Sequence, residues 1–131
     1  MKTIDLIIYG QCYSKSNSRI FSYKNGKPLL FKNRKVLAYV EDAKAQLISQ
    51  LKNHTTFTGN VCLEVKMYYK TKLSDLDVSL VQDILQRDVD KQYGIVTFKG
   101  LYLNDRQIFE LHLYKYHDKE NPRVEIKAYE I

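Results

Sequence analysis

The chain has 131 residues, the size of one domain spanning 1–131, and its net charge of +6 favours an anionic partner over a neutral one. No stretch is long and apolar enough to cross a bilayer, and "MKTIDLIIYG", interrupted by Asp5, is too short an apolar run for a secretory leader, so a cytoplasmic location is expected. Cys12 and Cys62 lie far apart without metal-like spacing and are expected as free thiols.

Residues 4–9 predict a strand with Ile4, Leu6 and Ile8 on one face. Residues 19–23 and 28–31 flank "KNGK", where Asn25-Gly26 supplies the positive φ of a two-residue hairpin turn. Residues 36–51 predict a helix, with Val36, Val40, Ala43, Leu47 and Leu51 forming one apolar stripe and Asn33 as its cap. Residues 61–69 alternate, with Val61, Leu63, Val65 and Met67 inward and Cys62, Glu64, Lys66 and Tyr68 outward. A second helix is predicted from about 78 to 87, with Leu80, Val81 and Ile84 inward. "DVDKQYGIVTFKG" reads as a loop or small hairpin arm containing 95–98, and the short apolar run 101–103 ends at Asn104-Asp105. Residues 108–116 alternate, with Phe109, Leu111 and Leu113 inward, and 123–129 close a last hairpin through Val124, Ile126 and Ala128. The class is α+β, a mixed β-sheet with two helices packed on one face.

Charge is unevenly distributed. Residues 1–74 carry +9 and residues 75–131 carry −3. From Lys15 to Lys35 run Lys15, Arg19, Lys24, Lys27, Lys32, Arg34 and Lys35 with no acid between them, interleaved with Ser16, Asn17, Ser18, Phe21 and Tyr23. Cations that set affinity and polar groups that set register suit a phosphate-tracking surface, as do Lys70 and Lys72 further on. Arg34 and Lys35 sit at a predicted helix start, where positive charge opposes the dipole by a few tenths of a kcal/mol or more.

In the acidic half, Asp75 and Asp77 lie at a predicted helix start and Asp105 at the end of a short strand. Helix capping and turn chemistry explain one aspartate at each place. A cap needs one carboxylate, and "DLD" supplies two, which in extended backbone point to the same side. A hard divalent ion such as Mg²⁺ would relieve their repulsion. Glu64-Val65-Lys66 has the Glu-x-Lys form of a metal-dependent nuclease signature, but its upstream acid would have to be Asp42, which falls on a helix. His54 follows a helix end, where a cation is welcome, and the spacing of His54, His112 and His117 forms no metal site.

"DLD" entering a helix, then "GLYLNDRQI" and two strands, resembles the RusA-type Holliday junction resolvases, with "GQCYSKSNSRIF" matching more loosely. The resemblance implies a small Mg²⁺-dependent endonuclease, common in prophages, that acts as a homodimer on four-way DNA. It implies Asp75, Asp77 and Asp105 as catalytic and Mg²⁺-binding residues. The family pattern continues Asp-Leu-Asp-Asn, a Lys one helical turn later, then Asp-Asp-x-x-Ile. Here Val78 stands for the Asn, Asn104 for the first of the later aspartates, and Val81 for the Lys, or Gln82 with one residue inserted. Gln82, Lys70 and Lys72 are the candidate replacements for that Lys. A second function follows from these departures, a branched-DNA or nucleic-acid binding module with weak or lost catalysis. A third is an α+β scaffold without a DNA role.

Overall fold

The structure, a computed structural model, describes residues 2–15, 19–24 and 27–131, with side chains described for 2–15 and 33–131. The elements in chain order are β1 (Thr3–Tyr9), β2 (Arg19–Lys24), β3 (Lys27–Lys32), α1 (Arg34–Gln50), β4 (Val61–Tyr69), α2 (Ser79–Ile84), β5 (Asp88–Asp90), β6 (Ile95–Phe98), a 3₁₀ turn (Asp105–Gln107), β7 (Ile108–His117) and β8 (Arg123–Glu130). The main sheet has the order β1-β8-β4-β7. β8 runs antiparallel to β1 and β4, and β7 runs parallel to β4, so the sheet is mixed, as expected. β2 pairs with β3 through Lys24↔Lys27; the Asn25-Gly26 turn lies outside the described residues. Among the described residues, no helix is long and apolar enough to cross a membrane.

One face of the sheet carries the core. Leu63↔Ala128, Val65↔Ile126 and Met67↔Val124 sit opposite one another on β4 and β8, with Leu6 and Ile8 beside them on β1. Val36, Tyr39, Ala43 and Leu47 of α1 and Leu80, Val81 and Ile84 of α2 cover that face. Each buried Val, Leu, Ile or Met among them, taken from water, stabilises the fold by roughly 1.5–3 kcal/mol. Asn33 caps α1, its side-chain oxygen accepting from the Lys35 N–H at 2.8 Å. Lys99 Nζ donates to the Leu51 carbonyl at the other end (2.9 Å), where a cation suits the dipole.

The two edges of the sheet differ. β1 is sealed by α1: the Gln50 amide exchanges hydrogen bonds with Ile7 N–H and C=O, both 2.8 Å, and the Gln46 amide with those of Tyr9, at 2.8 and 3.0 Å. These two side chains act as a surrogate strand on an edge that would otherwise invite pairing. Among the described residues, β7 has no such cover. Its predicted inward residues do not form a core row: Phe109 is 67% and Leu111 41% exposed, and Leu113 is half-buried. The register slips between Val61 and Cys62, and α1 packs chiefly against β1, at the opposite edge of the sheet from β7.

Other expectations are corrected as well. The second helix ends at Ile84 rather than near 87. Past it, the Leu85 carbonyl accepts from Leu101 N–H (2.7 Å) and Arg87 N–H donates to Tyr102 O (3.0 Å), so pairing with 101–102 takes over from the helix. Tyr102 is fully buried, bridging to Phe57 and Gln86, and its hydroxyl donates to Gln82 O at 2.6 Å. Residues 88–98 form the β5–β6 hairpin, tied to α1 by the Lys44–Asp88 ion pair. Cys62, predicted outward, is buried, because Tyr129 of β8 and Glu110 of β7 flank it across the ladder.

His54 is not a helix-end cation. It is buried, edge-on to Phe57 at 4.5 Å, with Nε2–H donating to the Leu101 carbonyl at 3.1 Å. Burial, helped by nearby Lys99 and Lys2, lowers its pKa. Below about pH 6.5 the unfolded chain then binds a proton that the folded chain resists, so stability falls as pH falls. The denaturation midpoint is expected to drop between pH 7 and pH 5. In His54→Phe, which keeps the ring contact, that part of the slope should vanish; an unchanged slope would clear His54 of the role.

Candidate active site

The loop after β1 and the segment before α2 meet at Asp77. Its Oδ1 accepts from Ser79 N–H (2.9 Å), filling the N-terminal capping role that Val78 lacks the side chain to fill. Its Oδ2 accepts from Ser14 Oγ (3.0 Å) and Lys15 N–H (3.1 Å). Burial pushes the Asp77 carboxyl upward, but the hydrogen bonds from Ser79, Ser14 and Lys15 outweigh it and hold the pKa below the usual carboxylate range. Gln11 fastens the same loop to the end of β4, its side-chain oxygen accepting from Lys70 N–H at 2.8 Å.

Asp75 is different. It is exposed, and among the described residues its carboxylate has no hydrogen bond or ion pair. Asp75 and Asp77 both act on Tyr69, whose pKa is raised chiefly by burial and further by the nearby Cys12 and these two acids.

Asp105 lies beyond the other end of α2, a helix of six residues and so roughly 9 Å long. Gln86 holds it, the Gln86 side-chain oxygen accepting from Asp105 N–H at 2.9 Å. Asn104 builds a capping box: its side chain accepts from Arg106 N–H (2.9 Å), while Gln107 Oε1 accepts from Asn104 N–H (2.9 Å). The Asp105 carboxylate itself has no partner among the described residues. Tyr102 senses Asp105 and Asp83, which add to burial in raising its pKa.

Asp83 lies near the C-terminal end of α2. Lys15 Nζ pairs with it at 2.8 Å while the Lys15 backbone holds Asp77. Lys15 thus links the Asp77 end of α2 to its last turn. The pair is about half exposed, and such pairs contribute under ~1 kcal/mol. The sequence signal for these contacts was the "GQCYSK" segment; nothing marked Gln86.

Of the basic residues singled out, Lys15, Arg34, Lys35, Lys70 and Lys72 are exposed. The ammonium groups of Lys70 and Lys72 have no partner among the described residues, while their carbonyls are held by His117 Nε2–H (2.9 Å) and Lys115 Nζ (3.0 Å). Arg19, Lys24, Lys27 and Lys32 lie on β2 and β3, and their side chains are outside those described. Gln82 is half-buried on α2.

Asp75 and Asp105 are hard oxygen donors with unspent carboxylates, and Asp77 keeps lone pairs beyond its three hydrogen bonds. This donor chemistry fits Mg²⁺, which binds one or two carboxylates and completes its shell with water and phosphate oxygens. The three are not drawn into one tight cluster. Among the described residues, the single group of three metal donors within 4.8 Å of one another is Cys62, Glu110 and His112, on the other face of the sheet.

The family model described as endodeoxyribonuclease RusA matches residues 10–129. No curated protein matches the chain.

Proposed function

We propose that this chain, which belongs to the RusA endodeoxyribonuclease family, hydrolyses phosphodiesters in branched DNA, including four-way junctions, with Mg²⁺ held by Asp75, Asp77 and Asp105. The observation that carries this function is the pair of unspent carboxylates. Capping α2 uses Asp77, whereas the carboxylates of Asp75 and Asp105, which flank the helix on either side, have no partner among the described residues. When bound, Mg²⁺ supplies charge neutralisation at the scissile phosphate and a lowered pKa for the attacking water. Lys70 and Lys72, a few residues before Asp75 in the chain and with ammonium groups that have no partner among the described residues, bind phosphate oxygens of the DNA backbone. Lys15 keeps the loop after β1 and α2 in register through Asp77 and Asp83, so it takes the positioning part of the missing helix Lys rather than Gln82 doing so. Arg34, Lys35 and the β2–β3 ribbon extend the cationic track.

A homodimer belongs to this proposal, since two strands of a junction need two sites related by a two-fold axis. β7 is the surface favoured for it. Among the described residues β7 pairs only with β4, and Phe109, Leu111 and Tyr114 are exposed along it, whereas β1 is sealed by Gln46 and Gln50. Phe109→Asp is expected to convert a dimer to a monomer in sedimentation equilibrium. A Phe109→Asp protein that sediments as a dimer would move the interface elsewhere.

The function is tested with a labelled four-way junction and a linear duplex, with Mg²⁺ and with chelator. Nicking of the junction in Mg²⁺ alone is the expected result. Salt-sensitive junction binding without nicking at any Mg²⁺ concentration would leave a binding module, a reading favoured by Val78 and by the absence of a Lys from α2. Absence of junction binding at low salt would remove the DNA role.

A further inference from the structure

The open face of the sheet carries a second set of ligands. β7 runs parallel to β4 in a register that sets Glu110 opposite Cys62 and His112 opposite Glu64. Residues two apart on a strand share a face, so Glu110 and His112 both flank the Cys62 thiol. The sulfur, a carboxylate oxygen and an imidazole nitrogen lie within 4.8 Å of one another. The thiol is buried, while the other two side chains are exposed and lack hydrogen-bond or ion-pair partners among the described residues. Tyr129 sits opposite Cys62 on the other side, on β8.

We propose that Cys62, Glu110 and His112 form a binding site for a borderline-soft divalent cation, Zn²⁺ by preference, separate from the aspartates around α2. Thiolate and imidazole ligands select Zn²⁺ over Mg²⁺, which demands hard oxygens. Three protein ligands leave a fourth tetrahedral position for water. Ligand atoms around Zn²⁺ stand roughly 3–4 Å apart given bonds of about 2.0–2.3 Å. Exposed Glu110 and His112 close that small gap by rotamer changes alone. The bound ion ties the edge strand β7 to the central strand β4, where the alternative is a ladder covered on one side only. This site does not depend on the nuclease function, and the experiment separates the two.

Zn²⁺ affinity is measured by calorimetry on the full chain in excess Mg²⁺, and Co²⁺ is used as an optical probe. The expected result is one tight Zn²⁺ per chain, a thiolate-to-cobalt charge-transfer band, and a rise in thermal midpoint with Zn²⁺. His112→Gln and Glu110→Gln, both surface changes that leave folding intact, should each weaken Zn²⁺ at least about tenfold, the lower bound even for losing an outer partner. Cys62→Ser should abolish the cobalt band. Asp75→Asn should leave all of this unchanged. Zn²⁺ binding that is lost in Asp75→Asn and kept in His112→Gln would overturn the proposal, as would no cobalt–thiolate band in the wild-type chain.

Discussion

Asp75→Asn is expected to lower Mg²⁺-dependent junction cleavage by about a hundredfold or more while leaving the fold and the junction affinity intact. Loss of one group that stabilises transition-state charge typically costs on that order. Asp75 isolates this effect better than Asp77. It is exposed and without a partner among the described residues, so the amide disturbs no hydrogen bond, and such surface changes shift stability by within about 0.5 kcal/mol. Asp77→Asn would also weaken the contacts from Ser79, Ser14 and Lys15 and mix a folding defect with a catalytic one. Removing one of two neighbouring acids relieves repulsion, so without metal the Asp75→Asn midpoint should equal or exceed that of the wild type. Single-turnover cleavage, fluorescence anisotropy on the junction and thermal melts read the three quantities. A variant that cuts at the wild-type rate would take Asp75 out of the active site.

Gly100→Ala is expected to destabilise the fold by about 3 kcal/mol or more, in the tail of single-substitution effects. Gly100 has φ +76°, and a Cβ there would lie 2.4 Å from Arg87 N, 2.7 Å from Arg87 Cα and 2.9 Å from Gln86 C. Backbone cannot yield as a side chain would. Arg87 N–H is bonded to Tyr102 O and Leu85 O to Leu101 N–H, and the same junction supports Gln86 and through it Asp105. The midpoint should fall on the order of 10 °C, with cleavage falling alongside. Gly94→Ala is the control: it shares a positive φ of +68° but meets nothing within 4 Å, so it carries only the backbone strain of roughly 1–2 kcal/mol. Equal shifts in the two variants would mean that crowding against Arg87 is not what Gly100 avoids.

Periodicity made much of the fold legible. β1, β4 and β8 each bury one face against helices, so period two survives in their residues, and α1 shows its stripe with Asn33 at the cap. The same logic misled at β7, because alternation of apolar residues does not reveal whether a strand lies inside the sheet or at its edge. Phe109 and Leu111 are apolar, alternate, and are exposed. The helical pattern runs on past Ile84 because pairing with 101–102 decides where α2 stops, and that is a long-range contact. Tyr102 sits in so short a run that nothing local marked it as fully buried.

At the candidate site, Asp75, Asp77 and Asp105 drew notice through residue type and chain context. What arranges them did not. Lys15 to Asp83 and Gln86 to Asp105 are side-chain choices made after the backbone folds. The Cys62, Glu110 and His112 group was invisible for a related reason. Metal spacing is recognised when ligands are near in sequence, and here parallel strand pairing brings together residues about fifty positions apart.

In the proposed nuclease, acids on both sides of α2 close on a hard metal ion beside the DNA. The most direct measurement is a crystal structure with Mn²⁺ in place of Mg²⁺ and a phosphate-bearing DNA junction, with manganese located by its anomalous scattering. Manganese bound by Asp75 and Asp77, with the Asp105 carboxylate drawn to the same ion or to a second beside it, is the predicted result. Manganese absent from all three carboxylates at saturating concentration, with the DNA bound on another face, would contradict it.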